Sequence, residues 1–382
     1  MVNKNRITLA LLWPKYGGNV TSVNDLVKVF DKERFLVIFI YLRGRSVKDN
    51  DLYQAGHEVI YLSNKDRLST FNLSTIKKLT NILKKKKVDI LHCHAHKATV
   101  YGAIAAKLAG TKIVLAHVHG LGRSRNIKRK IMNFFILKKI KKVICVAEGV
   151  RNDVLKYNRF LSEDKVAVLE NSVDYSYFSD SAISKEEAKK MLGLSNDDFV
   201  FGIVGRLAPT KGISFLINAF VKVKERIPSA QLVILGQGPS EQELVQQISE
   251  TPCRNSIHFL GHREHINKLF KGMDVFVLSS IAEGMPRAIL EAMAAGVPCI
   301  ATKVGGIPEI INCDDVGILV ESANSESLAN AMISLAELPD EKLRQIAERA
   351  NERVRKYYSH KVIGEKLRKL YEEEYERFLL TK

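Results

Sequence analysis

The feature that most constrains the fold is a regular alternation of short apolar runs with longer amphipathic stretches along the chain. Short runs rich in Val, Ile, Leu and Phe are typical of strands that are buried on both faces of a sheet. Strands that alternate with helices in sequence form parallel, doubly wound sheets. The pattern therefore predicts an α/β protein with Rossmann-like packing, whose ligands bind beyond the carboxyl ends of the strands.

The alternation is interrupted once, and this divides the chain into two predicted domains. Asn171–Phe178 is polar and aromatic and is followed by Ser179, Asp180 and Ser181, so we place the linker there. A chain of 382 residues is also too long for one ordinary core. We predict one Rossmann-like domain over residues 1–170 and a second over 171–359, with a long charged helix at about 360–382.

The predicted elements follow from the positions of the apolar runs. In the first domain we expect strands at Ile7–Trp13, Leu36–Leu42, Val59–Leu62, Val88–His92, Ile113–Ala116, Val143–Val146 and Val166–Leu169, and helices at Val20–Phe30, Leu73–Lys87, Lys97–Ala109 and Asn126–Lys141. In the second we expect strands at Phe199–Val204, Leu232–Leu235, His258–Leu260, Val275–Leu278, Cys299–Ala301 and Ile318–Val320, with helices between them.

The positive charge is concentrated in the first predicted domain. The chain has a formal net charge of +17, and residues 1–170 alone hold 33 Lys and Arg against 13 Asp and Glu. This asymmetry indicates an anionic partner for that half, which could be a membrane surface, nucleic acid or an acidic polymer. No apolar run approaches the length of a membrane span. Five cysteines without a C-x-x-C pair favour a reducing compartment.

One loop of the second domain has the residues of a phosphate site. It runs from Gly205 to Gly212, directly after a predicted strand and before the predicted helix Ile213–Arg226. Arg206 offers a planar guanidinium and Lys211 a point charge. The free N–H groups of a helix N-terminus also suit an anion. The loop therefore predicts phosphate binding that needs no metal, and the alternative is an ordinary loop with two surface cations.

A second loop of the same domain combines acids with a helix N-terminus. Glu283 and Gly284 precede a nearly apolar helix, Ala288–Ala295, in which Glu291 is the one acid, and Pro286 suits the first turn. A carboxylate in a buried helix needs a partner or a ligand. One interpretation pairs Glu291 with Arg287 at i, i+4. In the other, Glu291 and Glu283 bind hydroxyl groups of a polar ligand.

The histidines of the first domain form two groups. His92, His94 and His96 lie at a predicted strand end, where alternate residues point to opposite faces, so at most His94 and His96 are expected to share a side. This arrangement does not favour a metal site. His117 and His119 follow the next strand. These histidines could line a pocket, or they could be polar loop residues that hydrogen-bond to the backbone.

Several motifs together resemble a known family. Glu283 and Glu291 lie in a Glu-Gly-x-Pro…Glu-Ala-x-Ala-x-Gly-x-Pro pattern. The accompanying motifs are Gly205-Arg206, Lys211-Gly212, Gly305-Gly306-x-Pro-Glu309, the glycine loop Gly17-Gly18 and the linker Asn171-Ser-Val-Asp174. The chain resembles the retaining glycosyltransferases of family four, which have the GT-B fold. The resemblance covers essentially the whole chain and is strongest in the C-terminal half.

The resemblance implies two facing Rossmann-like domains, a C-terminal helix that crosses back to the first domain, and metal-independent transfer with retention. The first domain would bind the acceptor and the second a nucleotide-sugar donor, a UDP-sugar being favoured over a GDP-sugar. The implied donor-binding residues are Gly17, Gly18, Gly205, Arg206, Lys211, Glu283, Gly284, Met285, Pro286, Arg287 and Glu291. The implied catalytic residues are His119, Arg206, Lys211 and Glu283, with His117 as the alternative to His119.

A basic segment in the first domain predicts a membrane contact. Arg123–Lys142 holds nine basic residues and no acid, interleaved with apolar residues at roughly helical spacing. A basic amphipathic helix is typical of membrane-surface binding. The alternative is that its apolar side packs on its own sheet and the cations are only solvated. The predicted membrane-facing residues are Arg125, Lys128, Arg129, Lys130, Lys138 and Lys139.

We therefore predict a cytoplasmic glycosyltransferase, peripheral at the inner face of the membrane, with no cofactor or metal. It would move a hexose-type sugar to a lipopolysaccharide core, lipid-linked saccharide or glycolipid. A nucleotide-sugar epimerase of the same fold is one alternative, against which the Arg206, Lys211, Glu283 and Glu291 set argues. A nucleic-acid-binding protein is another, but no aromatic-interleaved recognition module is evident. A catalytically idle binding module is the third.

Overall fold

The protein is described by a computed structural model that covers residues 6–16, 26, 27, 29–65, 69, 71–122 and 126–380. It divides into two compact units. Unit 1 runs to Glu170 and resumes at His360, and unit 2 spans Asn171–Ser359. Each unit contains a parallel sheet with helices, which confirms the predicted α/β class.

Unit 1 is built on a seven-stranded sheet of apolar strands. These are β1 (Ile7–Trp13), β2 (Phe35–Tyr41), β3 (Glu58–Tyr61), β4 (Ile90–His94), β5 (Ile113–Val118), β6 (Lys142–Cys145) and β7 (Val166–Val168). They pair in the order β3-β2-β1-β4-β5-β6-β7, all parallel. Parallel pairing places all their carboxyl ends at one edge of the sheet, where ligands of such folds bind.

The helices of unit 1 cover this sheet. They are α1 (Asp51–Gln54), α2 (Leu73–Lys85), α3 (Ala95–Ala109), α4 (Ile127–Leu137) and α5 (Glu148–Tyr157). Asn72 and Asn126 fix the starts of α2 and α4, because each side chain accepts a hydrogen bond from a first-turn N–H group. The predicted helix Val20–Phe30 lies largely outside the described residues, and α5 was not predicted.

The C-terminal helix, His360–Leu380, belongs to unit 1 as predicted. Its residues Ile363, Leu367 and Tyr371 are buried in the same core as β1, β2 and β4. Near its end, buried Glu374 forms an ion pair of 3.5 Å with Lys142 at the start of β6. The helix therefore contributes both apolar surface and a charge contact to the first sheet.

Unit 2 repeats the architecture with six strands. These are β8 (Phe199–Val204), β9 (Ala230–Leu235), β10 (Ile257–Gly261), β11 (Val275–Leu278), β12 (Cys299–Thr302) and β13 (Ile318–Val320). They are parallel and pair in the order β10-β9-β8-β11-β12-β13. The loops after β8, β11 and β12 are therefore neighbours at the carboxyl edge.

The helices of unit 2 are α6 (Tyr175–Ser179), α7 (Lys185–Met191), α8 (Ile213–Arg226), α9 (Glu241–Glu250), α10 (Ile266–Phe270), α11 (Arg287–Ala294), α12 (Ile307–Ile310), α13 (Ser325–Ala336) and α14 (Asp340–Tyr357). The short helix α6 lies inside the predicted linker. Asp174 caps it by accepting from the Tyr177 N–H, and Phe178 packs on Phe270. The segment is thus a packed part of unit 2 rather than a bare connection.

One strand differs from its prediction in a way that matters for the site. β4 was expected at Val88–His92 but spans Ile90–His94. Lys87 has a left-handed φ of 50°, and the Asp89 carboxylate accepts from the Thr8 N–H at 2.8 Å, so the turn extends to Asp89. As a result His92 and His94 both lie within the strand.

Among the helices that the structure describes, none combines the length and apolar character needed to span a bilayer.

Candidate active site

Two of the predicted loops of unit 2 are held together by backbone contacts. The loop after β8 approaches the loop after β11 at Gly212, where a Cβ atom would lie 2.2 Å from the Ser279 carbonyl oxygen. Gly212 also has a left-handed φ of 60°, which glycine adopts without strain. The Ser279 hydroxyl donates to the Lys211 carbonyl at 3.0 Å, and the Ile281 N–H donates to the Thr210 carbonyl at 2.8 Å. These contacts fix Lys211 beside β11.

The loop after β12 closes on the same place from the other side. At Gly305, with φ of 59°, a Cβ atom would lie 2.1 Å from the Glu283 carbonyl oxygen. The Gly306 N–H donates to the Gly284 carbonyl at 2.6 Å. The Gly305-Gly306 pair therefore supports the backbone of Glu283 and Gly284 and leaves no room for a side chain there.

Lys211 and Glu283, which are 72 residues apart in sequence, form an ion pair. The Lys211 Nζ lies 2.5 Å from Glu283 Oε1, and the Ser280 hydroxyl donates to the same oxygen at 2.7 Å. Their side chains are 21% and 12% exposed. The sequence placed these two residues on different parts of a ligand, whereas the structure joins them to each other.

Arg206 is exposed and makes no ion pair or hydrogen bond with any residue that the structure describes. Its loop is held by the Gly236-Gln237-Gly238 turn after β9. The Leu207 N–H donates to the Gln237 carbonyl at 3.0 Å, and a Cβ atom at Gly236 would lie 1.8 Å from the Gly205 carbonyl oxygen. The motifs in the sequence did not assign this glycine turn to the site, although its backbone supports the loop that carries Arg206.

The N-terminus of α11 borders the same loops. Pro286 precedes the helix in an extended conformation, one residue earlier than the predicted first-turn position, and no side chain caps the helix. The Met285 carbonyl is held by the Asn171 side-chain amide at 2.6 Å. Uncapped first-turn N–H groups are donors for an anion or a hydroxyl.

Glu291 pairs with Arg287 one helical turn away, at 3.6 Å. Burial raises the pKa of the Glu291 carboxyl, and the Arg287 charge opposes that rise. The Arg287 Nε is buried and has no hydrogen-bond partner among the described residues. Glu291 and Arg287 therefore form the ion pair that the first interpretation expected. The pair leaves further polar atoms of the Glu291 and Arg287 side chains available to a ligand.

Unit 1 contains a separate cluster at its own carboxyl edge, where four histidines and one tryptophan stack. His92 and His94 come from β4, His117 from β5 and His119 directly follows β5. The Trp13 ring stacks on His94 at 3.7 Å between centroids, and His92 and His94 stack at 4.3 Å. His117 and His119 also stack at 4.3 Å. The expectation that at most His94 and His96 share a side was wrong: His92 and His94 stack on each other, because residues two apart in a strand share a face.

Three of the four histidines, His92, His94 and His117, are buried, and burial favours their neutral form. Burial, and then the His119 charge, lowers the pKa of His92 to about 3, and burial lowers the pKa values of His94 and His117 well below their usual range. The Tyr371 hydroxyl lies 2.6 Å from His92 Nδ1. Burial raises the pKa of Tyr371, so this hydroxyl keeps its proton and can donate. His94 Nδ1 and His119 Nε2 lie 3.3 Å apart, which suits one donor and one acceptor.

Ring geometry bears on whether this cluster could hold a metal ion. His92, His94 and His117 each have a nitrogen within 4.8 Å of the others. The His92 and His117 rings are within 4° of parallel, and the His92 and His94 rings within 30°. Lone pairs of imidazole lie in the ring plane, so stacked rings do not direct them to one point. The arrangement does not present a tetrahedral set of ligands.

Comparison with known proteins identifies the family. Residues 184–353 match the family described as Glycosyl transferases group 1, and residues 16–177 match Glycosyltransferase Family 4. The chain is 34% identical over 282 residues to the UDP-Gal:alpha-D-GlcNAc-diphosphoundecaprenol alpha-1,3-galactosyltransferase of Escherichia coli, covering 70% of this chain and 72% of that protein. This chain is a family 4 glycosyltransferase.

Similarity over the full length supports the same assignment. The glycosyltransferase is 28% identical to the GDP-mannose-dependent monoacylated alpha-(1-6)-phosphatidylinositol monomannoside mannosyltransferase of Corynebacterium glutamicum, covering 94% of this chain and 96% of that protein. Among solved structures it resembles Anabaena Alr3699/HepE in complex with UDP and glucose, with a TM-score of 0.84, 22% identity and coverage of 96% of this chain and 100% of that chain. The predicted GT-B fold is confirmed.

In this glycosyltransferase the basic segment forms α4, which is shorter than predicted. Leu137 and Ile140 are buried, in keeping with the alternative in which the apolar side of the segment packs on the protein. However, Ile127, Ile131 and Phe135 are 66%, 57% and 60% exposed. Their spacing of four residues places them on one face of the helix. The helix thus exposes an apolar stripe that its own sheet does not cover.

The predicted cations of α4 differ in their surroundings. Lys128, Lys138 and Lys139 are exposed, and the Lys138 ammonium lies 4.0 Å from the Phe134 ring centre. Lys130 and Arg129 are half-buried, and Arg129 lines a cavity of about 130 Å³ that His117 and His119 also border. Gly17, Gly18 and Arg125 lie outside the described residues.

Proposed function

We propose that this glycosyltransferase moves a hexose-type sugar from a nucleotide-sugar donor to a lipid-linked saccharide, with retention of configuration at the sugar and without a metal ion. The observation that carries the proposal is the convergence of three loops in unit 2 on one place. Gly212, Ser279 and Gly305 hold these loops together by backbone contacts. They bring Lys211 and Glu283 together beside the uncapped N-terminus of α11.

The donor diphosphate would bind the loop after β8. Departure of a nucleoside diphosphate concentrates negative charge on its oxygens, and fixed cations that meet that charge lower the barrier. Arg206 is exposed and unpaired among the described residues, so its guanidinium is free to bind two phosphate oxygens. Lys211 would add a second charge. Two fixed cations and helix N-terminal N–H groups together supply what a divalent ion supplies in other enzymes.

The ion pair of Lys211 and Glu283 would change partners when the donor binds. A diphosphate competes with Glu283 for the Lys211 ammonium, and the released carboxylate can then accept a hydrogen bond from a sugar hydroxyl. Ser280 would keep Glu283 in position, because its hydroxyl donates to Oε1 at 2.7 Å. Glu291 would bind the ribose hydroxyls beside Arg287. No covalent nucleophile is needed if the acceptor attacks from the side of the leaving group.

His119 is the proposed functional histidine of unit 1. Its Nε2 lies 3.3 Å from His94 Nδ1, so His94 can orient the His119 ring toward a sugar. His117 is buried inside the stack and is 7% exposed, which makes it the weaker candidate. The ring nitrogens of His119 could donate or accept a hydrogen bond with a sugar hydroxyl.

A lipid-linked acceptor is supported by the relatives and by α4. The Escherichia coli relative is named for GlcNAc-diphosphoundecaprenol and the Corynebacterium glutamicum relative for a phosphatidylinositol monomannoside. The exposed apolar stripe of α4, flanked by Lys128 and Lys138, suits a membrane surface. We propose that the enzyme binds the inner face of the membrane through this helix. A UDP-sugar is the preferred donor, since the first of these relatives uses UDP-Gal by name.

The test is a transfer reaction whose product is analysed for anomeric configuration. The enzyme is incubated with UDP-hexoses, or with GDP-mannose, and with a short-chain prenyl-diphosphate-linked GlcNAc. We expect a lipid-linked disaccharide that keeps the donor's α configuration, read by NMR from the one-bond carbon–proton coupling at the anomeric carbon. A β-linked product would contradict retention. Conversion of the donor sugar in the absence of any acceptor would instead support an epimerase.

A further inference from the structure

The ring of His94 is held in one orientation by the rings on either side of it. Trp13 stacks on it at 3.7 Å between centroids and 4° from parallel, and His92 stacks on it at 4.3 Å. Two rings cannot share one face at these distances, so Trp13 and His92 lie on opposite faces of His94. Rotation about the Cβ–Cγ bond of His94 would drive its ring into one of them. Packing therefore sets which edge of the ring faces His119.

The two nitrogens of His94 differ in their surroundings. Nδ1 lies 3.3 Å from Nε2 of His119. Nε2 is buried and has no hydrogen-bond partner among the residues that the structure describes. Burial lowers the pKa of His94 well below its usual range, so the ring carries one proton at neutral pH. That proton must lie on Nδ1 or on Nε2.

The two positions of this proton differ in cost. On Nε2 it would be a buried N–H group without an acceptor, and Nδ1 would accept from His119. On Nδ1 the proton is donated to His119, and only a lone pair on Nε2 stays unused. In folded proteins a buried N–H group without an acceptor is rarer than an acceptor that is not fully used. The contacts of His94 therefore favour the proton on Nδ1.

His92 adds a second reason for this assignment. The Tyr371 hydroxyl lies 2.6 Å from Nδ1 of His92 and can donate to it, which places the His92 proton on Nε2. His92, His94 and His117 have nitrogens within 4.8 Å of one another. The buried cluster thus already contains the N–H group of His92. A lone pair on Nε2 of His94 balances that partial positive charge, whereas a second N–H group would add to it.

The assignment fixes the chemistry of His119. Because its Nε2 accepts from His94, the proton of a neutral His119 lies on Nδ1. The lone pair of Nε2 is then used, and Nδ1 has none. The hydrogen-bonding group that remains on this ring is a donor. Such a histidine can hold an oxygen atom of a ligand, but it cannot take a proton from an attacking hydroxyl group.

We propose that His94 is a positioning residue that holds His119 with its proton on Nδ1, so that His119 meets the sugar as a hydrogen-bond donor and not as a base. This proposal rests on the proposed function, in which His119 faces the donor sugar. It adds the direction of that hydrogen bond and the residue that sets it.

The direct test is long-range proton–nitrogen NMR of the full chain with ¹⁵N-labelled histidine rings. It is recorded at about pH 8, where a histidine of ordinary pKa is neutral. The shifts of the two ring nitrogens show which one carries the proton, and the signal that is lost in His119→Gln identifies His119. We expect the proton of His119 on Nδ1. A proton on Nε2, or on both nitrogens, would overturn the proposal.

Two variants of similar shape separate donation by His94 from packing. The side-chain amide of His94→Asn can still donate to His119, whereas the carboxylate of His94→Asp can only accept. The matched control, His92→Asn, makes the same change two residues earlier in β4, where the ring nitrogen contacts Tyr371. We expect the His119 proton to stay on Nδ1 in both asparagine variants and to move to Nε2 in His94→Asp. The same proton position in all three would show that His94 does not set it.

Transfer kinetics then connect the position of the proton to the reaction. We expect kcat/KM for the donor to be about tenfold lower in His94→Asp than in His94→Asn, because a hydrogen bond to the sugar is lost. Equal values in two variants with opposite proton positions would refute the role of the donor group. The wild-type spectrum decides the proton position even if His94→Asp does not fold.

The NMR measurement needs no substrate, so it is separate from the proposed function. An enzyme that transfers no sugar but has the His119 proton on Nδ1 would refute the function and not the role of His94. An enzyme that transfers sugar with the His119 proton on Nε2 would refute the role of His94 and not the function.

Discussion

Lowering the pH from 7 to 5 should destabilise unit 1 strongly, because the buried histidines at the carboxyl edge of its sheet stay neutral when folded and take up protons when unfolded. His92, His94 and His117 are 0%, 6% and 7% exposed, and burial is the main cause of the lowered pKa of each. In the unfolded chain the same side chains regain an ordinary pKa of about 6.5. Between these values the unfolded state binds more protons, so acid favours unfolding.

The size of the effect follows from how far the pH lies below the ordinary pKa of histidine. At pH 5 each neutral histidine costs about 2 kcal/mol, since about 1.5 pH units separate that pH from the unfolded pKa and each unit corresponds to about 1.36 kcal/mol. Three such residues would remove up to about 6 kcal/mol, out of a typical domain stability of about 5–15 kcal/mol. The penalty is absent above about pH 6.5. It grows as the pH falls and becomes constant below the folded-state pKa, which for His92 is about 3.

Urea unfolding at the two pH values measures this directly. Trp13 is the only tryptophan of the chain and stacks on His94, so its fluorescence reports on unit 1. His57, whose pKa is also lowered mainly by burial, adds to the total, and single variants are therefore the sharper measure. His117→Phe should reduce the difference between the pH values by about 2 kcal/mol.

The control is Leu115→Ala, a buried change in the same strand as His117 that carries no titrating group. It should cost about 2–5 kcal/mol at both pH values and leave the pH dependence intact. The reasoning fails if wild-type unit 1 is equally stable at pH 7 and pH 5, or if His117→Phe keeps the full pH dependence.

Four further predictions follow from the sites. Arg206→Ala should lower kcat about a hundredfold or more while leaving the melting temperature near wild type, and unchanged kinetics would remove the phosphate role. Gly212→Ala should lose more stability in urea unfolding than Gly193→Ala, because both have left-handed backbones but only Gly212 would place its Cβ 2.2 Å from a carbonyl oxygen. Transfer should continue in EDTA, and loss that Mg²⁺ or Mn²⁺ restores would show that fixed cations are insufficient. The enzyme should co-sediment with anionic but not zwitterionic vesicles at low salt. A variant with glutamine at Lys128, Arg129, Lys130, Lys138 and Lys139 should stay in solution, and co-sedimentation of this variant as strong as that of wild type would refute the α4 contact.

The strands and the loops of unit 2 could be predicted because their signals are local. Val275–Leu278 and Phe199–Val204 have the predicted bounds, since a short apolar run between turn residues specifies a buried strand. The contact of Gly212 with Ser279 could not be predicted in the same way. It depends on β11 inserting beside β8, and that strand order is set by long-range packing rather than by residues near either loop.

The histidine cluster of unit 1 was missed for a related reason. The prediction ended the strand at His92 and so left His94 in a loop, whereas pairing with β5 extends the strand to His94. The pairing of His94 with His117 across β4 and β5 is likewise a matter of register. A signal was present in the sequence, since His-x-His occurs at the ends of two consecutive strands, and parallel neighbours would bring such pairs together.

The pair of Lys211 and Glu283 shows what the spacing of residues can and cannot say about a site. Both residues were placed at the donor site from their own loops, and the structure brings them to 2.5 Å of each other. Their contact means that neither side chain meets a ligand independently. A diphosphate that attracts Lys211 must also separate it from Glu283, and the carboxylate, still held by Ser280, is then left without its cation. Phosphate binding and the availability of Glu283 to the sugar are therefore linked through one ion pair. The linkage arises from the close approaches of Gly212 to Ser279 and of Gly305 to Glu283, rather than from either charged residue.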